Sequence, residues 1–386
     1  MPEIWQTAGF GLYIHWPFCQ AKCPYCDFNS HVAASIDQTR WGDAYLSEIR
    51  RVGADTSGRV LGSVYFGGGT PSLMEAALVS RILETISATW TLANDIEITL
   101  EANPTSSEAT RFEGYRAAGI NRVSVGVQAL NDSDLRALGR LHSAAEAQAA
   151  VEIAKDTFDH VSFDLIYARQ DQTLQEWTVE LKKALGIAGD HISLYQLTVE
   201  DGTAFGDRLA RGRLPGLPDD DLAADLYLVT QEICDAAGFP AYEISNHARP
   251  GAESRHNLTY WRGGDYAAIG PGAHGRLTRG GQRIATETHL APAKWLRAVE
   301  TAKTGESSRV PVSQSDQFSE LLMMGLRIRE GVSMTRLERL GGSNGWLKKV
   351  SQLQELGLVD ATDRSLAVTD RGRPVLNAVL RDLLAG

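Results

Sequence analysis

The residue pattern is that of an α/β chain, a wound sheet or a complete or partial β/α barrel, followed by a small winged-helix-like α+β domain. Two features of the pattern carry this reading. Short β-branched segments alternate at least six times with longer amphipathic ones, and near residue 309 that alternation gives way to short helices around a hairpin. The size and balance agree: 386 residues, 43% hydrophobic and 22% charged, suit a large barrel with an appendage and match soluble globular proteins.

In chain order, strands are expected at Gly11–His15, Ser63–Phe66, Asp95–Leu100, Arg122–Val127, Val161–Ile166 and His191–Leu197. Helices fill the gaps at residues 37–52, 72–88, 106–118, 144–156 and 174–187, each with apolar residues at helical spacing. Strands separated by helices run parallel through right-handed crossovers, and their chemistry collects at the strands' C-terminal ends. Beyond Gly238 a strand is expected at 241–244, and then 245–276, rich in Gly, His and aromatics, has little regular periodicity. Helical segments at 317–328, 334–340 and 346–356, a hairpin over 358–361 and 365–368, and a closing helix at 371–384 complete the winged-helix-like pattern.

The 48 acidic and 38 basic side chains give a net charge of −10, which argues against a broad nucleic-acid footprint and favours a small molecule or a protein as partner. No apolar run approaches the roughly 18 residues of a membrane span. The first basic side chain is Lys22, so no secretory signal is read and a cytoplasmic protein is expected.

Of the four cysteines, Cys19, Cys23 and Cys26 crowd into eight positions directly after the first strand, and clustered thiols in a reducing compartment point to metal or redox chemistry. Their C-x3-C-x2-C spacing suits three irons of a [4Fe–4S] cluster with the fourth iron open. Spacing alone also allows a zinc site completed by His15 or His31. Cys234, on a helical stretch, is expected to be a buried small hydrophobe. Further polar or glycine positions fall at successive strand ends: Gly67-Gly68-Gly69-Thr70-Pro71, Glu101-Ala102-Asn103-Pro104, Gly126-Val127-Gln128 and Asp164, with Arg140 at a helix boundary after the fourth strand. Consecutive glycines let a ligand approach the backbone closely.

The cysteine spacing, with Tyr25 before the last thiol, resembles the signature of the radical S-adenosylmethionine (SAM) superfamily, which implies a partial barrel of the radical SAM type. Read with Tyr13-Ile14-His15-Trp16-Pro17-Phe18-Cys19 and Tyr65-Phe66-Gly67-Gly68-Gly69-Thr70, the motifs look like the family that contains the anaerobic coproporphyrinogen III dehydrogenase and a related haem chaperone. The resemblance implies that Cys19, Cys23 and Cys26 hold a [4Fe–4S] cluster whose open iron binds SAM. It implies that Tyr13, Gly68 and Glu101 contact that SAM, and that Tyr25, Gly69, Thr70, Gln128, Arg140 and Asp164 line its site. The domains would be 1–240 for the barrel with cluster and SAM, 241–308 for an extension, and 309–386 for the C-terminal unit.

Two features favour the chaperone branch. Dehydrogenases of the family carry a further cysteine where this chain has Phe28, and His256-Asn257-Leu258-Thr259-Tyr260-Trp261 resembles the chaperones' H-N-x-x-Y-W haem motif. Imidazole ligates haem iron axially while aromatic rings cover the macrocycle, so His256 is the expected haem residue, ahead of His247 and His274. The implied function is transfer of haem, as cargo, to haem-requiring proteins such as respiratory enzymes. Dimerisation and peripheral docking on a membrane-bound acceptor stay open. The alternatives are the dehydrogenase, which oxidatively decarboxylates propionates to vinyls through a deoxyadenosyl radical, and a nucleic-acid-binding iron–sulfur protein. One departure stands out: where the family reads a Leu-Pro-Gly-Gln-Thr-like turn after Asp164-Leu165-Ile166-Tyr167, this chain has Ala168-Arg169-Gln170-Asp171-Gln172-Thr173. Without that Pro and Gly the turn chemistry differs.

Overall fold

The computed structural model describes residues 4–341 and 345–385. Six parallel strands follow one another across the sheet: β1 (Phe10–Trp16), β2 (Val60–Gly68), β3 (Thr91–Ala102), β4 (Arg122–Gln128), β5 (His160–Tyr167) and β6 (His191–Gln196). Most are buried along nearly their whole length, which is why they read as apolar β-branched runs rather than as alternating ones. Helices Gln38–Asp55, Ala76–Thr89, Phe112–Ala118, Ala144–Thr157 and Leu174–Ile187 cross between them and pack their apolar faces on the sheet. Local chemistry fixes where two of these helices begin. Ser143 with Glu146, and Thr173 with Glu176, form reciprocal capping boxes.

Residues 245–276, expected to be irregular, contain β7 (Asn246–Ala248), a helix at Arg255–Trp261, β8 (Asp265–Ile269) and the start of β9 (His274–Arg279). The expected strand at 241–244 reduces to a single bridge between Ala241 and His247. β8 lies parallel to β1 on the side away from β2, and β9, β10 (Gln282–Thr288) and β11 (Glu306–Pro311) extend it antiparallel, giving eleven strands in one sheet. Helix Pro292–Ala302 locks this extension to the barrel through Trp295, whose ring stacks on Trp41 at 5.6 Å between centroids.

A second core forms around Phe318, Leu322, Leu337, Val350 and Leu380. Its helices Gln314–Gly325, Met334–Leu340, Trp346–Glu355 and Leu376–Leu384 surround a three-stranded sheet of Val332–Ser333, Ser365–Val368 and Val359–Ala361. Arg262 pairs with Glu330 at 2.7 Å and Arg276 with Glu320 at 2.8 Å across the junction with the barrel. Among the described residues no helix is long and apolar enough to cross a membrane.

Candidate functional site

The C-terminal ends of β1 to β5 converge on one cleft, lined by Cys19, Cys23 and Cys26 on one wall and by residues of the β2, β3, β4 and β5 ends on the others. The three thiols are free, and they are joined by side chains rather than by one another. Thr70 donates to Cys19 Sγ at 3.5 Å, and Asn103 Nδ2 donates to Thr70 Oγ1 at 3.2 Å. Arg140 donates to Asn103 Oδ1 at 2.7 Å, to the Gly126 carbonyl at 2.9 Å and to Cys23 Sγ at 3.4 Å. A single chain of donors thus runs from Cys23 to Cys19, and its cation faces sulfur. Burial pushes the Cys19 and Cys26 thiols up.

The glycine loop ends β2. At Gly68 φ is +110°, and a Cβ would stand 2.6 Å from the His15 ring; at Gly69 it would stand 2.6 Å from the Phe18 carbonyl oxygen. Only glycine fits either position. Glu101 accepts from Tyr65 at 2.8 Å and from the Gly68 amide at 3.2 Å. Its desolvation in the cleft outweighs these donors and pushes its carboxyl up to about 7. Asp164 accepts from Ser124 at 3.2 Å, and burial raises it to about 6. Gln128 closes β4 with φ of +73°, after a break in register between Val125 and Gln128 that turns the strand end into the cleft.

A segment beyond residue 270 also supports the cysteine loop. The Asn29 amide donates to the carbonyls of Pro271 and Leu290, each at 2.9 Å, and the Asn29 carbonyl meets His15 Nε2 at 2.9 Å. His274, in contrast, is exposed beside Glu287.

The cleft brings together Cys19, Cys23, Cys26, Tyr25, Gly68, Gly69, Thr70, Glu101, Gln128, Arg140 and Asp164. Tyr13 and His256 are not in its lining. Tyr13 shares a face of β1 with His15 and lies below it, its hydroxyl 3.1 Å from His15 Nδ1. His256 is buried in the same inner layer: Nδ1 is 2.9 Å from Ser63 Oγ, and the ring stacks on Tyr65 at 4.9 Å. Its Nε2 has no partner among the described residues, and burial lowers its pKa to about 3. His256, the expected haem residue, is thus turned inward by helix Arg255–Trp261. His247 is also buried, near Gln231 at 3.3 Å. Cys234 is buried on helix Asp220–Ala236, as its surroundings in sequence suggested.

Asn103 and Tyr65 stand in the quoted motifs without a role of their own, and Ser124 was not singled out from sequence. The period of two along each strand was the available signal, since Glu101 and Asn103, and likewise Ser124, Gly126 and Gln128, share a face. The departed turn is held by another device. Arg169 is buried and pairs with Asp134 at 2.6 Å and with Glu180 at 2.5 Å, replacing the missing Pro and Gly with a charge network.

Among the described residues no three Cys, His, Asp or Glu side chains converge closely enough for a single ion. A cubane cluster places each thiolate on a different iron and requires only that the three face one space, which they do. A parallel barrel with this cysteine loop, a glycine turn and carboxylates at one rim defines a radical SAM protein. The chain matches the radical SAM superfamily over residues 13–182 and the HemN C-terminal domain over residues 312–375. It is 39% identical to the heme chaperone HemW of Haemophilus influenzae, over 96% of each chain. It is 37% identical to that of Escherichia coli, over 97% of this chain and 98% of the relative. Against the mitochondrial radical S-adenosyl methionine domain-containing protein 1 of Bos taurus the identity is 38%, over 97% of this chain and 87% of the relative. The chain belongs to the HemW family of radical SAM proteins. Its fold matches the coproporphyrinogen III oxidase HemN of Escherichia coli with a TM-score of 0.81 at 21% identity, over 97% of this chain and 89% of that one.

Proposed function

We propose that the protein is a haem chaperone that binds a [4Fe–4S] cluster and SAM in the barrel cleft and passes haem to haem-requiring acceptors, such as respiratory enzymes, from the cytoplasm. Cys19, Cys23 and Cys26 hold the cluster. When bound, the cluster supplies an open iron for the amino and carboxylate groups of SAM and an electron for its cleavage. Arg140 and Thr70 donate to the cysteine sulfurs and offset their negative charge. The Gly68 and Gly69 backbone admits the ligand closely, the Glu101 carboxylate accepts from its amino group, and Tyr25, Gln128 and Asp164 bound the remainder. Tyr13 acts from the layer below, through His15 and the glycine turn.

One observation carries the chaperone reading. His256, with Nε2 unpartnered, stacks on Tyr65, whose hydroxyl holds Glu101. A haem ligand in contact with the floor of the SAM cleft supports haem affinity that changes with the state of the cleft, which directional transfer requires. Ligation through His256 entails a shift of helix Arg255–Trp261.

The test is a haem titration of the cluster-reconstituted protein with and without SAM, beside His256→Ala, followed by transfer to a haem-free acceptor. Stoichiometric binding that His256→Ala weakens without loss of SAM binding is expected. Anaerobic conversion of coproporphyrinogen III to its divinyl product would instead assign a dehydrogenase.

A further inference from the structure

At the opposite end of the barrel from the cluster, a second cavity of about 360 Å³ opens between the sheet extension and the C-terminal domain. It shares no lining residue with the cleft, and its size falls within the ~300–1,000 Å³ of small-molecule sites. Its body is apolar: Tyr260 and Tyr266 stack with centroids 4.1 Å apart, and Leu321, Met323 and Met324 face them from helix Gln314–Gly325. Met323 is 42% exposed, a thioether on open display where most methionines are covered.

The charge lining this cavity is unbalanced. Arg276, Arg283, Arg336 and Arg339 line it with one acid, Glu320. Arg276 is paired with Glu320 at 2.8 Å, and Arg283 with the buried Asp265 at 3.2 Å. Arg336 donates only to the backbone carbonyls of Arg262 and Gly263, the latter at 3.1 Å. Arg339 is exposed and has no ion pair among the described residues. Neither of these two guanidiniums forms an ion pair among the described residues, in a chain whose net charge is −10, and the buried Asp265 acts on Arg336 only from beyond pairing distance. Burial and the neighbouring Arg283 lower the Arg336 pKa against the opposing pull of Asp265, and an anion beside it would favour the charged form further.

We propose that this cavity binds haem, with the macrocycle against Tyr260 and the methionines and its two propionates on Arg336 and Arg339. An apolar plate with two carboxylates at one edge matches an apolar slot with two unpaired guanidiniums at its rim. The thioethers of Met323 and Met324 are soft, polarizable contacts for the macrocycle. SAM, a sulfonium cation, is repelled by the same charges. The site also bears on the buried histidine, because the Tyr260 ring that walls the cavity meets the edge of the His256 ring at 4.9 Å. This inference rests on the haem-chaperone reading and adds where the cargo sits.

The experiment titrates haem into the full-length, cluster-reconstituted protein and follows the Soret band, with SAM binding measured alongside. Arg339→Glu and Met323→Glu alter exposed side chains, so the fold is kept. Each is expected to weaken haem binding about tenfold and to leave SAM binding unchanged. The dimethyl ester of haem, which lacks the propionate charge, is expected to bind the wild type weakly and Arg339→Ala no more weakly. Wild-type haem affinity in both glutamate variants, or equal sensitivity of haem and its ester to Arg339→Ala, would overturn this site and leave the chaperone reading intact. Absence of haem binding by the wild type would overturn both.

Discussion

The imidazole of His256 lies stacked on the ring of Tyr65, with planes 21° from parallel and centroids 4.9 Å apart. The Tyr65 hydroxyl donates to Glu101, so one tyrosine touches both the histidine motif and the carboxylate of the cleft. Because burial pushes the Glu101 carboxyl up to about 7, part of it is neutral at physiological pH, and an amino group that donates to it favours the charged form. SAM affinity should therefore fall about tenfold per unit as pH drops below about 7, and level off above it. Tyr65→Phe removes a hydrogen bond that lowers this pKa, so its profile should move to higher pH. Dissociation constants measured from pH 5.5 to 8.5 check both, and a flat wild-type profile would exclude Glu101 as the partner of the amino group.

Arg140 links Cys23 to Asn103 and to the Gly126 carbonyl. Replacing it with methionine keeps the bulk but removes the charge and the donors. Supporting groups of this kind are worth about 10- to 100-fold in metal affinity. Arg140→Met should lose iron to a chelator at correspondingly lower chelator concentration, read by iron content and the cluster absorbance, while the folded structure persists in circular dichroism.

Arg169 is the cation of a buried network with Asp134 and Glu180. Arg169→Met strands Glu180, whose side chain is only 9% exposed, without a counter-charge. Breaking such a pair from one side costs about 3–5 kcal/mol, so the variant should unfold at markedly lower denaturant concentration. A double variant that also carries Glu180→Gln should recover part of the loss. Recovery would separate the charge effect from simple loss of packing.

His142 and His247 are both held near 4 by burial, below the ordinary value of about 6.5. The unfolded chain therefore binds protons that the folded chain refuses between these values. Each group's contribution is fully present above pH 6.5 and is lost as pH falls towards 4, at up to about 1.4 kcal/mol per unit per histidine. Glu101 and Asp164, which are raised, act in the opposite sense as pH falls through 7 and 6. His256, which burial lowers to about 3, adds a third contribution of the histidine sign, so the histidines outweigh the two carboxyls; denaturation midpoints from pH 7 to 4 should decline, and His247→Gln should flatten the decline.

The six parallel strands were readable because strands covered on both faces spell uninterrupted β-branched runs, and the crossover helices because each repeats its apolar face. The cysteines, the glycine turn, Glu101 and Asp164 were readable because chemistry at a parallel sheet has only one rim to occupy. Residues 245–276 defeated the reading because their elements are three to seven residues long, too short for a period to repeat. The place of His256 was hidden for a related reason. Neighbouring aromatics look the same in sequence whether they cover a ligand or a core, and only the direction of a seven-residue helix separates the two. The donor chain through Asn103 and Thr70 crosses between strand ends far apart in sequence, which no local pattern encodes.

The Asn29 amide has consequences for how the protein is made. It fixes the cysteine loop to carbonyls 242 and 261 residues downstream. A ribosome moving at about 5–20 residues per second needs roughly 13–50 s after Asn29 to deliver Leu290. For that interval the nascent chain carries its three thiols without their anchor, so the cysteine loop takes the held shape only once residues 271–290 have been made.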